Sequence, residues 1–136
     1  MARSEVVILD THAWVWWMSS PEELSRKARI SIETAANASV VYVSAISVWE
    51  ISLLVQYKRI RLTMDVRDWV ARCEALPFLN FVPIDNLIAL KANELQDYPY
   101  RDPADRMIIA TAMFLGGSVI TKDRKILDYP HSSSVW

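Results

Sequence analysis

Short, continuous apolar runs alternate along the chain with longer segments whose apolar residues recur at helical spacing. The runs 6–9, 40–43, 81–84 and 118–120 are rich in β-branched and aromatic residues, which predicts strands buried in a parallel sheet. The tail, 134–136, is predicted to add a short last strand. Because helical segments separate the strands, the pattern favours an α/β fold with helices on both faces of the sheet.

Capping signals mark the helix ends. Asp102 suits an N-cap because its carboxylate can accept from backbone N–H groups that have no intrahelical partner, and Pro103 suits the first helical position. Gly116 and Gly117 form a C-cap signal for the same helix. Further helices are predicted over 13–18, 24–36, 45–57, 66–76 and 86–96.

Composition narrows the classes of function. A chain of 136 residues predicts one domain, 1–136, with a real core. A net charge of −1 means that nucleic-acid binding would need a local basic patch. The single Cys73 excludes an intrachain disulfide, and the apolar run before Asp10 is too short for a signal-peptide core or a membrane span. We therefore expect a cytoplasmic protein with no membrane partner.

Four lone acids stand at the ends or starts of predicted elements. Asp10 ends the first strand, Asp123 follows the fourth, and Asp105 opens the helix that feeds the fourth. Glu50 lies among apolar residues in the helix after the second strand. Ligands collect outside the carboxyl ends of parallel strands, so we expect these acids to meet there. Taken singly, each could instead be a turn, cap or solvated helix residue.

Four ionised carboxylates in one cleft would raise each other's pKa unless a cation intervenes. The chain has no Cys/His cluster, and oxygen ligands suit Mg²⁺ or Mn²⁺, so hydrolysis of a phosphodiester by metal-activated water is the chemistry indicated. The hydroxyls of Thr11, Thr121 and Ser44 are candidates for orienting a carboxylate or the water, with simple capping as the alternative. His12 and His131 are isolated and are interpreted as structural or surface residues, with support of a metal ligand as a second possibility for His12.

The four acids lie in segments that carry a family pattern. These are Leu9-Asp10-Thr11-His12-Ala13, Val43-Ser44-Ala45 through Trp49-Glu50-Ile51, Arg101-Asp102-Pro103-Ala104-Asp105-Arg106 and Ile120-Thr121-Lys122-Asp123-Arg124-Lys125-Ile126-Leu127. In order and spacing they resemble the PIN-domain family, and more narrowly the VapC-type toxins of type II toxin–antitoxin systems. The resemblance covers essentially the whole chain.

The resemblance implies a three-layer α/β/α sandwich around a central parallel sheet of about five strands. It puts the family's metal ligands on Asp10, Glu50, Asp105 and Asp123. It further implies Mg²⁺- or Mn²⁺-dependent endoribonuclease activity on RNA of the tRNA or ribosomal class. The implied partners are a second copy in a homodimer and a cognate antitoxin, whose C-terminal segment can insert a basic side chain into the acidic cleft.

Two positions depart from the family pattern. Leu54 stands where related sequences often carry lysine, and Tyr100 where they often carry histidine. Neither change removes a metal ligand, so both bear on substrate and partner rather than on chemistry.

Other side chains offer candidate contacts to RNA. Trp14, Trp16 and Trp17 share one short helix, for which core packing or a protein interface is favoured over base stacking. Basic residues flank the acids and could contact phosphates, with a solvated surface as the alternative. They are Lys58, Arg59, Arg61, Arg101, Arg106, Lys122, Arg124 and Lys125.

Other functions remain open at this point. A haloacid-dehalogenase-like phosphatase needs a second aspartate two residues after the first, where this chain has His12, and a receiver domain needs paired acids there. The chain also lacks a Gly-rich phosphate loop, which argues against dinucleotide and P-loop enzymes. A catalytically silent PIN-fold module that binds RNA or protein is the remaining alternative, although a pure binder has no need of four mutually repelling carboxylates.

Overall fold

The computed structural model describes residues 5–136, so Met1–Ser4 lie outside it. Within that range the strands are β1 (Val7–Leu9), β2 (Val41–Ser44), β3 (Leu79–Val82), β4 (Ser118–Ile120) and β5 (Ser133–Val135). The helices are α1 (Thr11–Ser19), α2 (Arg26–Asn37), α3 (Ala45–Gln56), α4 (Val66–Glu74), α5 (Asn86–Asn93), α6 (Pro103–Leu115) and α7 (Arg124–Leu127). All strands are parallel, in the order β3-β2-β1-β4-β5.

The central strand β1 is buried on both faces. Val7 and Leu9 pack into a core that includes Trp14 of α1, together with residues of α2, α3 and α4. Ile8 points the other way, into a core that it shares with Ile108 of α6 and with residues of β4 and α7. The predicted three-layer α/β/α sandwich is therefore confirmed. Across residues 5–136, no helix has both the length and the apolar character that a membrane crossing requires.

The predicted caps of α6 are confirmed. The carboxylate of Asp102 accepts from the backbone N–H groups of Ala104 at 2.9 Å and Asp105 at 3.4 Å, with Pro103 in the first turn. The helix ends at Gly116, whose φ of 67° is left-handed. The first turn of α6 is thus fixed by side chains that belong to the turn itself.

Some predicted boundaries are wrong. Strand β3 lies two residues earlier than 81–84, because Leu79 and Asn80 pair with β2 and Pro83 cannot donate to the ladder. Helix α1 starts at Thr11 rather than at 13, since the side chain of Asp10 caps it by accepting from Ala13 N–H at 2.8 Å. Helix α5 stops three residues before the predicted end, and α7 was not predicted because four residues carry no readable periodicity.

The junction between α6 and β4 provides a test of the fold. A Cβ atom on Gly117 would lie 2.6 Å from the carbonyl oxygen of Val6, whereas one on Gly116 would meet open space. We expect Gly116→Ala to destabilise the protein by about 1 kcal/mol through its left-handed backbone, and Gly117→Ala by more, because β1 and β4 must separate. Urea unfolding measures both, and a smaller loss for Gly117→Ala would contradict the close approach.

Candidate active site

A cavity of about 510 Å³ opens at the carboxyl edge of the sheet. Its lining includes all four acids singled out in the sequence, namely Asp10, Glu50, Asp105 and Asp123. The chain runs outward from β1 to β3 and then returns to β4 on the other side of β1, so the strand order reverses between β1 and β4. The cavity lies at that reversal, where open parallel sheets form their ligand sites.

Helix N-termini hold three of the lining carboxylates. Asp10 caps α1, Asp102 caps α6, and Asp123 caps α7 by accepting from Lys125 N–H at 2.9 Å. Asp105 lies in the first turn of α6. Since backbone N–H groups and the helix dipole favour negative charge at these ends, local structure partly offsets the repulsion among the acids.

Two threonine hydroxyls orient the acids. Thr121 Oγ1 donates to Asp10 Oδ2 and accepts from the backbone N–H of Asp123 at 3.0 Å, which ties two of the acids together. Thr11 Oγ1 donates to Glu50 Oε1. The same hydroxyl also lies 2.9 Å from the Oγ atom of the buried Ser47.

Ser44, the third hydroxyl considered in the sequence, has a different role. It is fully buried, and its Oγ accepts from the backbone N–H of Ile46 at 3.1 Å, which caps α3. It does not line the cavity. The capping alternative is therefore the one that the structure supports for this residue.

Two acids of the cavity, Asp10 and Asp105, have raised pKa values. Burial raises the pKa of Asp10 above its ordinary value. Burial, followed by the charges of Asp102 and Asp123, raises the pKa of Asp105 to about 7. The ammonium group of Lys125 lies 3.1 Å from Asp123, and this contact raises the pKa of Lys125. Burial therefore favours the protonated forms of Asp10 and Asp105, and neighbouring carboxylates add to this for Asp105.

The donor set fits a divalent cation. Its side chains are carboxylates, which Mg²⁺ and Mn²⁺ prefer, and a cation would relieve the repulsion that helps raise the pKa of Asp105. Over residues 5–136, no group of three His, Cys, Asp or Glu side chains is already arranged around one point as ligands. Thr11, Thr121 and Lys125 hold three of the acids, so a cation would compete with these contacts.

Eight basic residues were singled out in the sequence, and all of them lie in the part of the chain that the structure describes. Of these, two line the cavity, namely Lys122 and Lys125. Arg61 lies beside a separate cavity on the side of α4. Arg106, grouped with the candidate phosphate contacts, donates instead to the backbone carbonyls of Ala92, Tyr98 and Tyr100 at 2.7 to 3.0 Å. The basic residues therefore do not form a single surface around the acids.

The three tryptophans of α1 have three environments. Trp14 is fully buried against Trp69 and Phe81, and Trp17 packs on Phe78. Trp16 is half-buried and lines the acid cavity. Of the two roles favoured in the sequence, core packing or a protein interface, core packing is correct for Trp14, whereas Trp16 also reaches the acid cavity.

Sequence reasoning missed one feature of the site. Asp102 was interpreted only as a cap, yet it also lines the cavity, and its position one turn before Asp105 was the available signal. The two histidines lie in different surroundings. His12 is exposed at the cavity, whereas His131 lies 3.8 Å from Asp97.

Known proteins resemble this chain in sequence and in fold. The PIN-domain family profile matches residues 7–131. Ribonuclease VapC22 of Mycobacterium tuberculosis is 35% identical to the chain over 129 residues, which is 95% of each protein. VapBC2 from Rickettsia felis, solved bound to a DNA fragment from its promoter, superposes with a TM-score of 0.69 at 14% identity, over 96% of this chain and 97% of that one. A toxin–antitoxin complex from Klebsiella pneumoniae superposes with a TM-score of 0.63 at 19% identity, over 96% of each chain. This chain belongs to the PIN-domain family, among its VapC-type members.

Proposed function

We propose that this protein is a divalent-metal-dependent endoribonuclease that hydrolyses RNA phosphodiester bonds. The observation that carries the proposal is the single cavity lined by Asp10, Glu50, Asp105 and Asp123, which come from separate elements of the fold. The 35% identity to a protein named as a ribonuclease supports the same activity.

In this proposal Asp10, Glu50, Asp105 and Asp123 hold Mg²⁺ or Mn²⁺, which when bound stabilises phosphate charge and lowers the pKa of a water. The protein's own groups prepare the site. Thr121 and Thr11 fix the directions of the Asp10 and Glu50 carboxylates, and such orienting partners contribute to metal affinity. The ammonium groups of Lys122 and Lys125, which line the cavity, attract the RNA backbone to an otherwise acidic site.

We further propose that the enzyme is the toxin of a toxin–antitoxin pair, acting in the cytoplasm on RNA of the tRNA or ribosomal class. A cognate antitoxin then binds the toxin and inserts a basic side chain among the acids, and the toxin forms a homodimer. The likeness to the toxin–antitoxin complex from Klebsiella pneumoniae supports the antitoxin partner.

Removal of the carboxylates should abolish cleavage without unfolding the protein. We expect Asp10→Asn and Asp105→Asn to lower the rate of RNA cleavage by more than about 100-fold, and Thr121→Val by about 10- to 100-fold. Asparagine at position 10 can still cap α1, so circular dichroism should be unchanged. Asp68→Asn is the matched control, because Asp68 also lies in a helix first turn but is exposed.

Excess EDTA should stop cleavage by the wild type, and Mg²⁺ or Mn²⁺ should restore it. Cleavage that persists in EDTA, or in both aspartate variants, would refute the metal-dependent activity. RNA binding by a wild type that never cleaves would instead favour the catalytically silent binding module.

In the metal-free protein, Asp105 should make the stability fall as the pH rises. Its folded-state pKa of about 7 lies above the ordinary 3.8. Between about pH 4 and pH 7 the folded protein therefore binds more protons than the unfolded chain, and the free energy of unfolding decreases. Asp105→Asn removes this decrease. From pH 4 to pH 7 the free energy of unfolding of the variant should therefore rise by about 1–2 kcal/mol relative to that of the wild type.

Urea unfolding in EDTA at several pH values measures the effect. Asp68→Asn should follow the wild type throughout the range, because Asp68 is exposed. Parallel pH profiles for Asp105→Asn and the wild type would show that burial and neighbouring charges do not penalise this carboxylate.

The toxin role predicts growth arrest on expression in a bacterial host. Growth should recover with Asp10→Asn, or when a small neighbouring gene product is co-expressed, because the first removes a proposed ligand and the second supplies the inhibitor. Mapping new RNA 5′ ends after brief induction would identify the substrate. Unimpaired growth with the wild type in several hosts would contradict the toxin role and leave the nuclease activity standing.

A further inference from the structure

Two lysines of the acid cavity each face an aromatic ring. The Nζ atom of Lys122 lies 5.9 Å from the centre of the Trp16 ring, and that of Lys125 lies 5.8 Å from the centre of the Tyr100 ring. Both lysines and Trp16 line the cavity, and Tyr100 adjoins it through Lys125. At nearly 6 Å these contacts are weak, so each ammonium group can turn from its ring to a phosphate.

The two rings approach the acids from opposite layers of the sandwich. Trp16 packs against the core on the Val7 and Leu9 face of β1. Tyr100 packs edge-on at 5.3 Å against Tyr98, which belongs to the core on the Ile8 face. The sheet edge that carries Asp10 therefore lies between the two layers from which the rings come.

Each ring is supported from behind and accessible from outside. Trp16 contacts the rings of His12 at 5.7 Å and Trp136 at 5.8 Å, yet it stays half-buried rather than buried. Tyr100 is 42% exposed while its edge rests on Tyr98. Supported, partly exposed rings lose little conformational freedom when a flat ligand covers them, which is what a stacking platform needs.

The lysines supply charge where a nucleic-acid backbone would need it. Lys122 is exposed and has no carboxylate within 4.0 Å in the part of the chain described. Lys125 is held beside Asp123 at 3.1 Å, at the rim of the same cavity. An aromatic ring and a cation thus stand together at two positions beside the acids.

We propose that the site takes unpaired RNA, with one base stacked on Trp16, another on Tyr100, and the phosphates between them passing over the acids. Lys122 and Lys125 contact the phosphates on the two sides. This inference rests on the proposed ribonuclease activity and assigns Trp16 and Tyr100 as the residues that hold two bases of its substrate. A duplex keeps its bases stacked on one another, so it can offer the lysines its phosphates but cannot use the rings.

Direct binding tests the stacking. The probe is an unpaired, fluorescently labelled oligoribonucleotide about ten nucleotides long, compared with the same strand annealed to its complement, in EDTA. Trp16→Leu and Tyr100→Leu should each weaken binding of the unpaired probe by about tenfold in fluorescence anisotropy and leave duplex binding unchanged. The matched controls are Trp17→Leu, from the same helix, and Tyr57→Leu, an exposed tyrosine at the end of α3. Neither should change either affinity.

A second measurement does not depend on the packing of Trp16. Lys122→Gln replaces an exposed side chain and should lower the slope of log affinity against log salt by about 0.7 for the unpaired probe. Lys91→Gln, an exposed lysine on α5, should leave the slope unchanged. If Trp16→Leu fails to fold, Trp16→Phe retains a smaller ring and should give an intermediate loss of affinity.

The outcomes separate this inference from the nuclease proposal. If the wild type cleaves RNA while the ring variants bind the unpaired probe as tightly as their controls, stacking is refuted and the nuclease stands. If the ring variants lose affinity but the wild type never cleaves with Mg²⁺ or Mn²⁺, the binding mode stands and the nuclease is refuted. Equal losses for unpaired and duplex probes would also overturn the stacking.

Discussion

Repulsion among carboxylates gathered at one edge of a parallel sheet is the constraint on which the site depends. Asp10, Asp102 and Asp123 each cap a helix, so backbone N–H groups bind the charges that the fold concentrates. Burial first, and the charges of Asp102 and Asp123 second, still raise the pKa of Asp105 to about 7, so this compensation is incomplete. The protein therefore keeps a local deficit of positive charge, which a divalent cation or a basic side chain of a partner could make up.

The strand order explains why these particular acids meet. Strands β1 and β4 are neighbours in the sheet, with Leu9 paired to Ile120, although these two residues lie far apart in the chain. The residues that follow each strand are thereby brought together, and the Thr121 side chain bridges them by bonding Asp10 and the backbone of Asp123. A hydroxyl placed at this junction orients one acid and fixes the turn that carries another.

Arg106, like Thr121, links segments of the chain that carry residues of the site. Its guanidinium group donates to three backbone carbonyls, and it also lies 5.4 Å from the centre of the Tyr98 ring. These bonds tie the segment before α6 to the end of α5, and that segment carries Tyr100 and Asp102. The arginine next to Asp105 thus supports the shape of the cavity instead of extending from it, since each of its three nitrogens already donates to a backbone carbonyl.

The sequence by itself determined the parallel sheet and the starts of α3, α4, α5 and α6, because apolar runs and caps depend on a few neighbouring residues. The Asp102 cap and the Gly116 stop needed no knowledge of the rest of the chain. Tertiary structure alone decided which tryptophan of α1 reaches the cavity, that Thr11 bonds Glu50, and that Arg106 binds backbone. These features depend on how elements distant in the chain pack together, and no local pattern specifies that packing.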